Sequence, residues 1–270
     1  MTKTQLRRIP AYAFLSLAVI LSVFPLYFMA VSATNTSNEV VASKLLPGSH
    51  LMENFQTLVD SQPLGSALYH SSVNAIATTV LALILCSIAG YAFEIYHSRA
   101  KDAVMAFLLL AIMIPFAATM IPLFRLFAQL GMVNSTFAVI VPLVATPFLI
   151  LLFRQASRSF PHEIIEAARL DGLGEVSIFA RIYLPTMKPT LAAAGVITFL
   201  FSWNNFLWPK VILVDNAYQT LPMLLSNMRA GYVTDYGSLM LAVFIVSVPT
   251  MVVFLALQRH FAEGVTGAIK

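Results

Sequence analysis

The sequence predicts an all-α, polytopic membrane protein with six transmembrane helices, and three observations predict it. The first is composition: 59% of the 270 residues are hydrophobic and only 10% are charged, with a mean hydropathy of +0.82, where soluble domains carry about 25% charged residues. The second is where charge is missing. Asp, Glu, Lys and Arg are absent from six long stretches, 9–38, 61–93, 103–124, 126–153, 189–209 and 236–258, and each can supply the roughly 20 apolar residues that cross a hydrocarbon core. The third is the distribution of cations. With the N-terminus inside, Lys3, Arg7, Arg8, Arg99, Lys101, Arg154, Arg158, Arg169, Arg181, Lys188, Arg259 and Lys270 are cytoplasmic, and only Lys44, Arg125, Lys210 and Arg229 lie outside. That asymmetry obeys the positive-inside rule, and the inverted topology would violate it. Both termini are therefore expected in the cytoplasm. The net charge of +4 is accounted for by cytoplasmic flanks and calls for no nucleic-acid partner.

Span one is expected at about 11–31. The preceding Lys3, Arg7 and Arg8, with Val31-Ser32-Ala33 after the apolar run, also fit a secretory signal. The apolar run exceeds the usual length of such a signal, and five later spans need a first one to orient them. From Thr34 to Leu68 the chain reads as external and polar, with Pro47-Gly48 as a turn and an interfacial helix over 51–59. Span two, about 71–91, contains the single cysteine, Cys86, which reads as a core residue because one thiol builds no disulfide or metal cluster. Span three, about 103–124, carries Pro115 and Pro122, and each predicts a kink because it removes a backbone hydrogen bond. An external turn with Gly131 leads to span four, about 136–153, with Pro142 and Pro147. Span five, about 190–208, ends in Ser202-Trp203-Asn204-Asn205-Phe206-Leu207-Trp208-Pro209. Indoles there read as interfacial anchors. Alternatively, Trp203 with Asn204 and Asn205 offers what a sugar needs, an aromatic face for C–H groups and amides for hydroxyls. After an external loop from Lys210 to Tyr236, span six runs over about 237–257.

The segment between spans four and five, Pro161 to Pro189, differs from everything around it. Pro161 suits a helix's first turn, Glu163 and Glu166 sit near the positive end of its dipole, and Gly172 stops it. A second apolar set, Ile178 with Ile182 and Phe179 with Tyr183, continues helically and is expected to break at Leu184-Pro185. Each helix is about ten residues, roughly 15 Å, which is half a hydrocarbon core. Neither can cross a membrane. Ala167, Ala168 and Gly172 read as small residues on an exposed turn that lets another protein's backbone approach closely.

Glu166-Ala167-Ala168, Asp171-Gly172, Ile182 and Leu184-Pro185, with Pro189 following, resemble the EAA loop of ABC importer permeases. The C-terminal Gln258-Arg259-His260-Phe261, Gly264, Val265-Thr266 and Gly267-Ala268-Ile269-Lys270 are similar to the ending of carbohydrate importer permeases of the MalG-like branch. Two departures stand out: Leu173 replaces a frequent Ala, and the tail is one small residue shorter. The resemblance covers essentially the whole chain and implies one transmembrane domain over 1–270 in a bacterial cytoplasmic membrane. It implies that 161–189 is a cytoplasmic coupling helix, with Glu166, Ala167, Ala168, Asp171, Gly172, Leu184 and Pro185 meeting the ATPase. It further implies a second, non-identical permease, two copies of an ATPase that binds and hydrolyses ATP, and an extracytoplasmic sugar-binding protein. The chain itself is then expected to hold no cofactor.

Missing chemistry narrows the function further. No G-x-x-x-x-G-K-[ST] loop is present, so energy must come from a partner. The 5 histidines show no metal-ligand spacing. A membrane-embedded enzyme needs a nucleophile or metal constellation at bilayer depth, and the sequence offers none. An ion-coupled secondary transporter, the alternative within transport, is weakened because the six charge-free stretches contain no carboxylate.

Overall fold

A computed structural model describes residues 9–230 and 234–267, with side chains for 12–230 and 234–256. The flanking Lys3, Arg7 and Arg8, and the C-terminal match from Gln258 to Lys270, lie outside the residues whose side chains are described. Every regular element among the described residues is helical. In order these are α1 (Ile9–Ser32), α2 (Ser37–Val41), α3 (Leu51–Ser61), α4 (Leu64–Ile95), α5 (Arg99–Ile112), α6 (Phe116–Gln129), α7 (Thr136–Val144), α8 (Pro147–Arg158), α9 (His162–Leu170), α10 (Glu175–Ser177), a π-helical turn (Ile178–Tyr183), α11 (Leu184–Thr186), α12 (Lys188–Trp203), α13 (Leu207–Ile212), a 3₁₀ turn (Asn216–Tyr218), α14 (Leu221–Arg229) and α15 (Tyr236–Gly267).

Three helical segments, Tyr12–Ser32, Leu64–Ile95 and Tyr236–Ala256, are single helices long and apolar enough to cross a membrane. The other charge-free stretches fall on bent pairs. Span three is the largest departure from expectation. Two kinks in one helix were expected, and instead α5 and α6 meet at 101°. Pro115 lacks an N–H and pushes the preceding Ile114 out of helical geometry, so the chain turns a corner there, whereas Pro122 sits inside α6 without ending it. Span four bends by 43° between α7 and α8, with Pro147 in the first turn of α8, where its missing N–H has no intrahelical partner to lose. Span five stops at Trp203, five residues earlier than the expected 208, and α13 begins a separate helix.

The chain divides into two compact units, Met1–Gly65 with Leu224–Pro249, and Ser66–Met223 with Thr250–Lys270. In the first unit, polar side chains join the end of α1 to α3 and to the start of α15. Asn54 donates to the carbonyls of Ala33 (2.9 Å) and Asn35 (3.0 Å); Ser238 donates to the Asn54 carbonyl at 3.1 Å. Asp235 accepts from Ser37. Thr36 caps α2 in a reciprocal box with Glu39, satisfying end groups that a helix this short could not otherwise pair. Lys44 donates to Glu39 at 2.7 Å, and this bond first, then the Thr36 backbone N–H, holds the Glu39 carboxyl down at about 2.

In the second unit the core is continuous along α4 and α8. Ala82, Cys86, Met105, Leu149, Ile150, Phe153 and Ala194 form one buried cluster. Gly90 permits the crossing: a Cβ there would stand 2.4 Å from Phe153 Cβ and 2.7 Å from the Arg154 nitrogen. This close approach places Arg154 beside the end of α4. A second cluster, Tyr91, Phe160, Ile165, Ala168, Ile178, Tyr183 and Met187, seats the 161–189 segment on the ends of α4 and α8.

Candidate functional site

The segment 161–189 folds as a helical hairpin. Pro161 precedes α9 with φ −64°, the value its ring imposes and a helix start requires. The turn after α9 needs Gly172, which sits at φ +81° with nothing within 4 Å of a Cβ position. Only glycine adopts that backbone without strain. The second arm runs from Glu175 through Thr186 before α12 leaves at 80°. The break expected at Leu184-Pro185 thus comes later, at Met187. A π turn explains why: the Leu184 N–H reaches Phe179 O, five residues back. The wider turn lets the helix pass through Pro185, which cannot donate.

The hairpin has a buried and an exposed side. Ile165 is 1% exposed, and Ile178 and Tyr183 are fully buried. Tyr183 shares a 2.6 Å hydrogen bond with Ser157 of α8 and packs its ring 4.6 Å from that of Tyr91. Ala168, expected on the exposed turn, belongs to this buried side at 4% exposure, because it falls three residues after Ile165 on the same helical face. Glu166, Ala167, Asp171, Gly172 and Pro185 are exposed and Leu184 is half-buried. Glu163, Ile164, Ala167, Asp171 and Ile182 line an open groove between the two arms.

Two residues that the sequence reading passed over stand out on the same surface. Leu170 is 90% exposed and Val176 82% exposed, one on each side of the Gly172 turn. Both lie in a segment too short to cross a membrane, and neither packs on the buried side of the hairpin. The signal of Leu170 was legible: it falls five residues after Ile165, off the face that this isoleucine marks as apolar.

The second set of expected site residues is placed differently. Trp203 is 2% exposed and Trp208 fully buried. Trp203 stacks on Phe199 at 5.6 Å. Trp208 donates to the Ala138 carbonyl at 2.9 Å and sits among Phe127, Val139, Ile212 and Met223. The interfacial-anchor reading of these indoles is therefore overturned: both are buried, and the Trp208 N–H finds a carbonyl inside the protein while its ring fills a core. Asn204 is exposed and its amide turns back to the Leu200 carbonyl at 2.9 Å, capping α12; Asn205 is half-buried in the turn that follows. Of the proposed trio, Asn204 is exposed, Asn205 half-buried and Trp203 closed off from the surface.

A model of the binding-protein-dependent transport system inner membrane component matches residues 82–267. Among curated relatives, the chain is 40% identical to the lactose transport system permease protein LacG of Rhizobium radiobacter over the whole length of both. It is 35% identical to the arabinooligosaccharides transport system permease protein AraQ of Halalkalibacterium halodurans, covering 93% of this chain and 92% of that one. It is 32% identical to the sn-glycerol-3-phosphate transport system permease protein UgpE of Yersinia enterocolitica, covering 96% of each. In fold it is similar to a chain of a bacterial ABC transporter involved in the import of the acidic polysaccharide alginate, with a TM-score of 0.85 at 18% identity over 97% of this chain and 99% of that chain.

Proposed function

The chain belongs to the family of binding-protein-dependent transport system inner membrane components, and from that premise we propose that it is the permease subunit of an importer for a sugar or oligosaccharide. The observation that carries the substrate class is the full-length 40% identity to a lactose permease, supported by the arabino-oligosaccharide relative. In this reading the chain does no chemistry itself. A second, non-identical permease completes the pathway, two ATPase copies hydrolyse ATP beneath the 161–189 hairpin, and an extracytoplasmic binding protein delivers the sugar. Both termini lie in the cytoplasm of a bacterium, and the hairpin faces the same side.

Coupling works through the hairpin's two-sided construction. Its buried side, Ile165, Ala168, Ile178 and Tyr183, is fastened to the ends of α4 and α8. Its exposed side offers Glu166, Ala167, Asp171 and the apolar Leu170 and Val176 to the ATPase. When the nucleotide sites close, a surface gripped on one side and packed on the other transfers displacement to the spans. Alternating access follows if that displacement favours one arrangement of the pathway over the other. Asn204 and Asn205 at the end of α12 are the polar groups of this chain proposed to meet the sugar.

The test is uptake by proteoliposomes holding the full complex, after calorimetry of the binding protein against a panel of mono- and oligosaccharides and sn-glycerol-3-phosphate has identified the ligand. Uptake that requires internal ATP and survives collapse of ion gradients supports the proposal. Uptake driven by an ion gradient without ATP would overturn the proposal in favour of the ion-coupled secondary transporter.

A further inference from the structure

A second set of charges lies where the hairpin meets the spans, and the family resemblance did not point to it. Arg154, at the end of α8 and 5% exposed, donates through Nε to Glu94 at 3.2 Å and through a terminal nitrogen to Asp102 at 2.6 Å. Glu94 lies in the last turn of α4, and Asp102 in the first turn of α5. One guanidinium therefore holds the ends of three spans. Arg158 adds a contact to Glu94 at 3.4 Å, and His97 lies 2.9 Å from Asp102. From the other side, Arg169 grips both oxygens of Glu175 at 2.7 and 3.2 Å. The Tyr96 hydroxyl donates to Glu175, and the Arg169 guanidinium lies 5.9 Å from the centre of the Tyr96 ring. The Lys101 ammonium donates to the carbonyls of Ala92 and Tyr96, closing the 94–102 connection on itself. The hairpin's grip and the spans' grip meet on this one short connection.

We propose that the 94–102 connection is the relay between the hairpin and spans two, three and four, with Tyr96, Glu175 and Arg154 as its positioning residues. The proposal rests on the coupling reading above and names the part of the chain that carries the motion onward. A buried guanidinium bonded to two carboxylates cannot slide without stranding charge, so the three span ends move together. An exposed Arg169–Glu175 pair alone would be a soft link. The Tyr96 hydroxyl ties that pair to the connection, and the two parallel bonds from Arg169 fix direction as well as distance.

The test uses the full complex with its ATPase, in a Cys86→Ala background carrying nitroxides at Ala100→Cys and His162→Cys, one on α5 and one on α9. The distance between labels within this chain is measured without nucleotide and after trapping with Mg-ATP and vanadate. The relay predicts the same distance in both states. Tyr96→Phe and Glu175→Gln are expected to keep the ATPase bound and to shift or broaden that distance on trapping. In the same variants, binding-protein stimulation of hydrolysis should fall by about fivefold. The conservative Glu175→Asp, which keeps an acceptor for both Tyr96 and Arg169, should retain most of both readouts, which a loss of folding would not. A distance that changes on trapping in the parental complex overturns the relay, as does parental stimulation in both variants. Loss of the ATPase from both variants also overturns it, since these residues would then be docking contacts. The coupling reading itself fails separately, if disrupting the Gly172 turn leaves the ATPase bound and stimulated as in the parent.

Discussion

At the residue scale the backbone of Gly172 makes a sharp demand. Its φ of +81° with open space around the Cβ position means that a larger residue there meets strain rather than collision. Gly172→Val should cost about 1–3 kcal/mol locally, redirect the exposed turn, leave membrane insertion normal and lower recovery of the ATPase on co-purification. Gly172→Asn, which tolerates this backbone better, should recover most of the loss. Glu39 makes a different prediction. Its carboxyl is held near 2, against an ordinary 4.5, chiefly by the Lys44 hydrogen bond. A depressed carboxylate stabilises the folded state above its unfolded pKa, and that contribution fades as pH falls from 4.5 towards 2. Carbon-13 titration should therefore place the Glu39 midpoint near 2 in the parent and higher in Lys44→Met, though still below the ordinary 4.5 because the Thr36 hydrogen bonds remain.

At the scale of elements, the sequence announced the hairpin well and the bent spans poorly. Pro161, the acidic first turn and Gly172 are local signals, and each acts within the few residues that carry it. Ala168 was misplaced because an exposed small residue and a buried one look alike without the partner helix that covers it. Proline told where spans three and four would deform and not by how much. Pro115 makes a 101° corner while Pro122 leaves α6 intact, since the outcome depends on whether neighbouring packing favours a turn. The indoles failed for a similar reason: Trp208 looks like an interface residue until α13 packs on α7, whose Ala138 carbonyl accepts from its N–H. Two predictions belong here. Asn204→Leu should lower uptake while leaving assembly unchanged, because an amide at the surface is lost where sugar hydroxyls need a partner; equal uptake by mutant and parent would place the sugar contacts elsewhere. Arg154→Met leaves Glu94, with a side chain 15% exposed, beside no strong partner but Arg158. It should cost about 3 kcal/mol, read as a lower unfolding temperature of the detergent-purified complex. Glu94→Gln added to it should recover part of that loss.

At the scale of the whole molecule, charge-free stretches made an all-α membrane chain legible before any contact was known, because burying charge in hydrocarbon is costly. The 94–102 connection was not legible, because Glu94, Asp102, Arg154 and Glu175 come together only through the close crossing at Gly90 and the fold of the hairpin. Topology has its own check: in a Cys86→Ala background, Ser43→Cys and Asn216→Cys should react with an impermeant maleimide in intact cells, and Val176→Cys should not. The central claim is that the exposed side of the hairpin is the surface the ATPase holds. Ala167, exposed beside Glu166 in α9, tests it most directly. With a photoreactive amino acid at position 167 of the full complex, irradiation should join this chain to the ATPase, and vanadate trapping should change the yield. A crosslink confined to lipid or to the partner permease in every nucleotide state would contradict the account.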